Sequence, residues 1–191
     1  MSEDEKNNWE KRYSGDGREP RRTPSSLVTE WLVDRSPGKA LDLACGTGRN
    51  SLFLAEKGYD VTAIDISPRA ITLAEQRARE KGLKISWIVA DLDTYPIQGQ
   101  YDLIVISFFY VNKDMVPSII NALKSGGMLL YENHMLSPSD ADEAHHHRFH
   151  LKPGELGQLF RGLKVIRYEE RQVDGEEGRP SYLASLVAQK E

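Results

Sequence analysis

The sequence predicts an α/β fold, a doubly wound three-layer sandwich whose mostly parallel sheet ends in an antiparallel C-terminal hairpin. Short apolar strands alternate with helices through residues 39–134, which is the pattern of a parallel sheet covered on both faces. The run "LIVIS" is apolar without a break, as is typical of strands buried on both sides. Only the turn-like "DGEEGR" separates the last two strands, so we expect them to pair antiparallel.

Each element follows from local signals in the chain. The predicted strands are, in order, "KALDLA", "YDVTAID", "KISWIVAD", "YDLIVIS", "MLLYENH", "LKVIRYEERQV" and "PSYLASLVAQ". The predicted helices are "SSLVTEWLVDR", "RNSLFLAEKG", "RAITLAEQRAREKG", "DMVPSIINALKSGG" and "KPGELGQLF". Thr23 and Pro24 predict the start of the first of these helices, and Ser67 and Pro68 the start of the third. The glycine pair 126–127 predicts the end of the fourth.

Length and composition predict one globular domain over residues 1–191, with residues 1–25 as a polar N-terminal extension. The 191 residues are 39% hydrophobic, which is enough to bury a core. A net charge of −4 argues against a nucleic-acid partner. Cys45 is the single cysteine, which excludes an intrachain disulfide and suits a reducing compartment.

The same reading of the chain predicts a cytoplasmic protein without a membrane partner. No N-terminal signal pattern is visible, and the apolar run Leu103–Val111 is too short to span a bilayer. The sequence predicts no particular oligomeric state.

The stretch "LDLACGTGRNS", residues 41–51, predicts a turn that holds a ligand. In a parallel sheet, ligands bind outside the carboxyl ends of the strands, and this turn follows the first strand. Gly46 and Gly48 let the backbone approach a ligand without an intervening Cβ, and the next helix presents unpaired N–H groups. Because any sharp turn from strand to helix favours glycine, this pattern alone is weak.

Carboxylates at the ends of three successive strands strengthen the prediction of a ligand site. These residues are Asp42, Asp65 and Asp91. Asp65 stands where a carboxylate accepts hydrogen bonds from both hydroxyls of a ribose, and Asp91 would meet the amino edge of an adenine. Together the glycine turn and the acids predict a ligand of the adenosine type.

A nicotinamide dinucleotide fits the residues less well than another adenosine cofactor. A nicotinamide site would favour a third glycine where this chain has Ser51. Short-chain dehydrogenases also need a Tyr-x-x-x-Lys pair, and no tyrosine of the sequence has a lysine four residues later. A phosphate-binding Gly-x-x-x-x-Gly-Lys-[Ser/Thr] loop does not occur either.

The sequence resembles the class I S-adenosylmethionine (SAM)-dependent methyltransferases from about Trp9 to the C-terminus. The resemblance is carried by "LDLACGTGRNSLFLAEKGYDVTAIDISPRAI", "ADLD", "YDLIVISF" and "LKSGGMLLYE". Within that superfamily, "CGTGRNSLFLAEKGYDV" and the short length resemble the tellurite-resistance methyltransferase group and its relatives that act on small molecules. The resemblance implies a Rossmann-like fold with seven strands, SAM as cofactor and S-adenosylhomocysteine as product. It further implies a small-molecule acceptor, such as a metalloid oxyanion.

The resemblance also implies a role for particular residues. The cofactor-binding residues that it implies are Trp9, Tyr13, Asp42, Ala44, Cys45, Gly46, Asn50, Asp65, Ile66, Asp91, Leu92 and Ser107. The glycine turn would line the methionine part of SAM, and Asp65 would take the ribose hydroxyls. Asp91 and the Leu92 N–H would bind the adenine, and the Ser107 carbonyl would face the amino group of the cofactor.

Two departures from the resembled family concern the turn and the acceptor side. Ala44 stands where the family has its first loop glycine. The segment "FFYVNKDM" replaces the Met-Phe-rich segment of the tellurite group, and that group's Asn-Glu-Asp and His-Arg stretch is absent. The resemblance therefore specifies the cofactor better than the acceptor.

Aromatic residues at two places predict a lid and a pocket wall. Trp9 and Tyr13 lie four residues apart on a short predicted helix. They either pack that helix against the core or fold over the cofactor with Tyr13 near the sulfonium, and the resemblance favours the lid. Phe108, Phe109 and Tyr110 are predicted to wall the acceptor pocket, with one of the three buried in the core.

The run "EAHHHRFH" predicts either contact with the substrate or a plain surface loop. His145 and His147 share one side of an extended chain, and His134 or His150 would complete a metal-binding set. Runs of histidine are commonly solvated, so we predict no metal. His134 and Arg148 are kept as candidates for the acceptor pocket, where Arg148 would offer paired N–H donors to an anion.

Methyl transfer from a sulfonium is an in-line displacement with an activated donor, so positioning supplies most of the catalysis. An alcohol or ammonium acceptor needs a base, whereas a soft anion or a thiolate does not. The sequence predicts no particular catalytic residue. The resulting prediction is a methyltransferase enzyme acting on a small molecule. The alternatives are a SAM-binding module without turnover and a small NAD-binding protein.

Overall fold

The computed structural model describes residues 3–13, 22–32, 35–137, 149–174 and 180–191. Within these ranges the strands are β1 (Lys39–Leu43), β2 (Asp60–Asp65), β3 (Ser86–Val89), β4 (Tyr101–Ser107), β5 (Leu123–Met135), β6 (Lys164–Asp174) and β7 (Pro180–Gln189). The helices are α1 (Glu3–Arg12), α2 (Ser26–Trp31), α3 (Arg49–Glu56), α4 (Pro68–Glu80), α5 (Val116–Ala122) and α6 (Glu155–Leu159).

The strands form one sheet in the order β3-β2-β1-β4-β5-β7-β6. Neighbouring strands from β3 to β5 run parallel, whereas β7 lies antiparallel to both β5 and β6. The predicted doubly wound sheet with an antiparallel C-terminal hairpin is confirmed. Strand order reverses between β1 and β4, which opens a crevice at their carboxyl ends.

Helices cover both faces of the sheet and enclose two apolar cores. One core packs Leu27 of α2, Leu54 of α3 and Ile71 of α4 against one face. The other packs Ile119 of α5 and Leu156 of α6 against the opposite face. The two cores confirm the three-layer sandwich. None of the helices in the described ranges is long and apolar enough to cross a membrane.

Helix α5 ends at Ala122, before the glycine pair that was predicted to end it, and β5 begins directly afterwards. Gly126 has a φ of +78°, which lies outside the helical region. Leu123 already pairs with Tyr101, and the register between β4 and β5 shifts directly after this pair. The longer predicted helix is therefore wrong, because pairing with β4 draws the chain into the sheet earlier.

Helix α2 begins at Ser26, later than the signal at Thr23 predicts. Ser25 occupies the N-cap position with an extended backbone, but its side chain makes no capping hydrogen bond. Its hydroxyl instead donates to Oε1 of Glu132 at 2.5 Å. A tertiary contact thus overrides the local capping pattern here, whereas Ser67 caps α4 as predicted.

Gly48 directly precedes α3, and a substitution there tests how closely the glycine turn is packed. It has a φ of +77°, and a Cβ at this position would lie 2.7 Å from Cη2 of Trp87. Gly82, beyond the end of α4, also has a positive φ of +66°, but a Cβ there would meet nothing within 4 Å. We expect Gly82→Ala to lower the free energy of unfolding by about 1 kcal/mol through backbone strain. Gly48→Ala should cost a further ~1–3 kcal/mol through overpacking.

Urea denaturation followed by circular dichroism measures both glycine variants against the unsubstituted protein. Equal losses in the two variants would contradict the packing role of Gly48, because both share the cost of the left-handed backbone.

Candidate active site

The turn from β1 into α3 follows an unusual backbone path. Ala44, Gly46 and Gly48 all lie in the left-handed region, with φ values of +55°, +54° and +77°. The Gly48 N–H donates to the Cys45 carbonyl at 3.0 Å and closes the turn. The left-handed conformation costs alanine about 1–2 kcal/mol. Ala44, which stands where the resembled family has a glycine, therefore fits the turn with some backbone strain.

Asp65, the last residue of β2, holds the glycine turn in place. Its Oδ2 accepts the Gly46 N–H at 2.7 Å, and its Oδ1 accepts the Ser67 N–H at 2.9 Å. The side chain is buried, and burial raises the pKa of this carboxyl above its ordinary value. Two carboxylate oxygens accept about four hydrogen bonds, so Asp65 keeps acceptor capacity beyond these two backbone partners.

Tyr13 covers the glycine turn from the N-terminal side. Its hydroxyl oxygen lies 3.0 Å from the position that a Cβ on Gly46 would occupy. Nε of Arg69 donates to the Tyr13 carbonyl at 3.2 Å, and Oγ of Ser67 donates to the Glu10 carboxylate. Burial, with the nearby Asp65 charge, raises the pKa of Tyr13, so the hydroxyl keeps its proton. The end of α1 is therefore fixed over the turn.

Trp9, the other aromatic residue of the predicted pair, has a contact on its own helix. The guanidinium carbon of Arg12 lies 5.2 Å from the centre of the Trp9 ring, within the range of a cation–π interaction. The structure thus brings Tyr13 to the glycine turn and stacks Trp9 with Arg12.

Asp42 and Cys45 lie buried beneath the turn. Oγ of Ser51 donates to Oδ2 of Asp42 at 2.5 Å, and burial raises the pKa of Asp42 to about 7. Burial also raises the pKa of the Cys45 thiol. A thiol with a raised pKa is a poor nucleophile, which fits the interpretation of Cys45 as a packing residue.

Asp91 lies beyond β3 and does not end it, because the strand stops at Val89. Its Oδ1 accepts the N–H of Asp93 at 3.0 Å in a local turn. Leu92 beside it is buried, and Ile66 is partly buried. Since β3 pairs in parallel with β2, the chain around Asp91 follows the same edge of the sheet as Asp65.

The three aromatic residues after β4 divide between two environments. Phe108 has a φ of +60°, and its ring centre lies 4.9 Å from that of His134 and 5.3 Å from the Arg49 guanidinium carbon. Phe109 and Tyr110 pack instead against the core beneath α5 and α6. The Tyr110 hydroxyl donates to Glu155 at 2.8 Å, and burial together with this carboxylate raises its pKa to about 12.

His134, near the end of β5, is joined by a second imidazole. The ring of His150 lies 5.6 Å from that of His134, and Oγ of Ser181 lies 3.4 Å from His134 Nδ1. Leu151 brings the two together, because its N–H donates to the His134 carbonyl at 2.9 Å.

The remaining candidates near the histidine run lie outside the described residues: His145, His147 and Arg148. In the part of the chain that the structure describes, no group of three His, Cys, Asp or Glu side chains is placed to hold a metal ion.

A buried polar chain that the sequence analysis did not predict joins four elements beside the crevice. Nδ2 of Asn50 donates to Oγ of Ser107 at 3.1 Å, and Oδ1 of Asn50 accepts the Ser25 N–H at 2.9 Å. The Ser25 hydroxyl then donates to Glu132. The signal for Glu132 was a carboxyl within the otherwise apolar strand "MLLYENH", since acids are rarely buried without a partner.

Fold and site together define a class of protein. A parallel sheet reverses its strand order between β1 and β4, a glycine turn follows β1, and a buried carboxylate ends β2. This is the Rossmann-like fold of the class I methyltransferases.

The family model described as tellurite resistance protein TehB matches residues 8–177, and the chain belongs to this family. It is 36% identical over 141 residues to the "Probable S-adenosyl-L-methionine-dependent methyltransferase TehB" of Haemophilus influenzae, covering 71% of this chain and 49% of the relative. It is 34% identical over 122 residues to the "Putative methyltransferase YqeM" of Bacillus subtilis, covering 58% and 49%. The chain thus spans about half the length of these curated relatives.

The crystal structure of TehB from Haemophilus influenzae is similar to the whole of the fold. The TM-score is 0.76 at 25% sequence identity, covering 97% of this chain and 67% of that chain. The resemblance to the tellurite-resistance group is therefore confirmed.

Asp42 predicts a pH dependence of stability. Its pKa of about 7 in the folded protein exceeds the value in the unfolded chain, so the folded state binds this proton more tightly. The stability that follows is present below the unfolded pKa and is lost as the pH rises through the folded pKa. We expect the free energy of unfolding to fall as the pH rises from 5 to 8. In Asp42→Asn the fall over the same range should be smaller by about 1–3 kcal/mol.

Urea denaturation at both pH values measures the difference, and Asp114→Asn, which removes an exposed carboxyl, serves as the control. An unchanged slope in Asp42→Asn would contradict the assignment to Asp42.

Proposed function

We propose that the chain is a SAM-dependent methyltransferase that transfers a methyl group to a small molecule by in-line displacement. The observation that carries the proposal is the buried Asp65 carboxylate hydrogen-bonded to Gly46 at the carboxyl ends of β1 and β2. Membership of the TehB family supports it, as does similarity to the probable and putative methyltransferases of Haemophilus influenzae and Bacillus subtilis.

The residues around the glycine turn fit the parts of SAM. Asp65 has acceptor capacity for the ribose hydroxyls, and the absence of a Cβ on Gly46 lets the chain lie close beneath the methionine part. Asp91 and the Leu92 N–H offer an acceptor and a donor to an adenine edge. The Ser107 carbonyl, at the end of β4, would take the amino group. When bound, SAM supplies a methyl group already activated by the sulfonium.

Catalysis by this chain would rest on orientation and on exclusion of water. Tyr13 stands over Gly46 as a protonated hydroxyl on an aromatic ring, so it covers the turn without adding a charge. Orientation of the two reacting atoms supplies much of the acceleration of such a displacement. The proposed chemistry therefore needs no catalytic acid beneath the turn, where Asp42 is buried.

The acceptor side of the proposed site begins at Phe108 and His134. Their rings are in contact where β4 and β5 end, Phe108 directly after β4 and His134 in the last residues of β5, and the Arg49 cation lies over the Phe108 face. The Arg49 guanidinium would attract a small anionic nucleophile, and the tellurite resistance in the family's name points to a metalloid oxyanion. Arg148 stays a prediction for the same pocket, whereas Phe109 and Tyr110 pack against the core beneath α5 and α6.

Calorimetry with purified protein tests the cofactor. We expect SAM and S-adenosylhomocysteine to bind and NAD not to bind. In Asp65→Asn the dissociation constant of S-adenosylhomocysteine should rise about tenfold or more. The amide replaces one carboxylate oxygen by an NH2 group, so one of the two hydrogen bonds from the ribose hydroxyls to a charged acceptor is lost. Asp60→Asn, at the exposed opposite end of β2, should leave it unchanged. Binding of NAD in place of SAM would overturn the proposal.

Phe108→Ala tests the acceptor side. Transfer from labelled SAM to tellurite or selenite should give a methylated oxyanion and one equivalent of S-adenosylhomocysteine per methyl group, and Phe108→Ala should lower kcat/KM for the acceptor about tenfold through lost positioning. Binding of S-adenosylhomocysteine should not change. If the unsubstituted protein binds SAM but releases no methyl to oxyanions, thiols or alcohols, a binding module without turnover replaces the methyltransferase.

A further inference from the structure

We propose that Glu132 is a positioning residue that latches the start of α2 onto the site through Ser25 and fixes Asn50 and Ser107 beside the crevice. The inference rests on the proposed function, since the site it positions is the cofactor site. It concerns Ser25 and Glu132, to which the sequence analysis gives no role.

Ser25 uses both of its hydrogen-bond donors to join two different elements. Its backbone N–H donates to Oδ1 of Asn50, in the first turn of α3, at 2.9 Å. Its hydroxyl donates to Oε1 of Glu132, on β5, at 2.5 Å. Because Asn50 also donates to Ser107 at the end of β4, one serine connects α2 with α3, β4 and β5.

The Ser25 hydroxyl bonds to Glu132 and makes no capping hydrogen bond to its own helix. A serine at an N-cap ordinarily accepts a backbone N–H from the first turn of its helix, which stabilises the helix. At α2 this capping bond is not made. The hydroxyl is therefore committed to the carboxylate, as expected of a contact that fixes α2 to the sheet rather than one that only begins a helix.

Burial keeps water from replacing the hydrogen bond between Ser25 and Glu132, which we call the latch. Ser25, Asn50 and Glu132 are each 3% exposed. A buried carboxylate needs its donors, because removing one leaves a buried acceptor without its hydrogen bond. On the solvent side Glu132 helps to line a polar cleft of about 240 Å³, whose other lining side chains include Arg167 and Arg171.

The backbone of Glu132, like its side chain, supports Ser107. Glu132 is the register partner of Ser107 across β4 and β5, and its carbonyl accepts the N–H of Phe108 at 2.9 Å. Ser107 is thus held from the strand side by Glu132 and from the helix side by Asn50. Movement of Ser25 releases Asn50, and with it the helix-side support of Ser107.

The test compares two neighbouring serines. Ser25→Ala removes the latch hydroxyl, whereas Ser26→Ala makes the same change at an exposed position that lines the same cleft. We expect Ser25→Ala to raise the dissociation constant of S-adenosylhomocysteine about tenfold, from the loss of a charged hydrogen bond. Ser26→Ala should leave it unchanged. Glu132→Gln keeps an uncharged acceptor for Ser25, so its dissociation constant should lie between those of the two serine variants.

A second readout works without ligand. The chain has a trypsin site after Arg22, three residues before Ser25. Cleavage there at low temperature should be about tenfold faster in Ser25→Ala than in Ser26→Ala, because local opening is easier once the latch is gone. A purely structural role for Ser25 would lower the Tm without changing affinity or cleavage well below it.

The outcomes separate the two proposals. If the unsubstituted protein binds S-adenosylhomocysteine and Ser25→Ala binds it equally well, the positioning role is overturned and the proposed function stands. If the unsubstituted protein does not bind, the proposed function falls and takes the positioning role with it. Equal cleavage rates in the two serine variants would overturn the latch whatever the ligand does.

Discussion

The hydrogen bond from the Gly46 N–H to the Asp65 carboxylate is the contact on which the geometry of the site depends. It joins the ends of two parallel strands, so the glycine turn is fixed relative to the sheet rather than to its own helix alone. Because a carboxylate is the acceptor, the bond is stronger than one between neutral groups. The other oxygen of Asp65 holds Ser67, whose hydroxyl bonds to Glu10, so α1 is placed by the same carboxylate.

The same edge of the sheet also stores backbone strain. Ala44 and Phe108 are non-glycine residues in the left-handed region, and they follow the two strands between which strand order reverses. Each costs about 1–2 kcal/mol and persists because the buried sheet on both sides fixes the chain. At Ala44 the chain bends toward the glycine turn, and at Phe108 it sets the ring against His134.

Much of this architecture could be predicted from the sequence, because the strands carry strong periodic signals and the glycine turn has a local cause. The position of Asp65 at the end of β2 was predicted for the same reason, as it follows an apolar strand. The start of β5 could not be predicted from local sequence, because it depends on the pairing of Leu123 with Tyr101 on another strand. The role of Ser25 was hidden as well, since its partner Glu132 is 107 residues away in the chain.

The candidate pocket illustrates the same limit. Phe108, Phe109 and Tyr110 are equivalent in sequence, yet the left-handed backbone at Phe108 separates its ring from the other two. No pattern of apolar residues predicts such a division, because it depends on how the chain leaves β4.

Two of the contacts that attach the N-terminal part of the chain to the rest of the structure are Tyr13 over Gly46 and Ser25 on Glu132. Two attachments on one chain behave as a bivalent ligand. When one is broken, the other keeps the released part of the chain at a high effective concentration, so rebinding is intramolecular. Access to the crevice can therefore be gained in stages, one attachment at a time. Complete departure of the segment needs both to be lost together, which makes it a much rarer event than either opening alone.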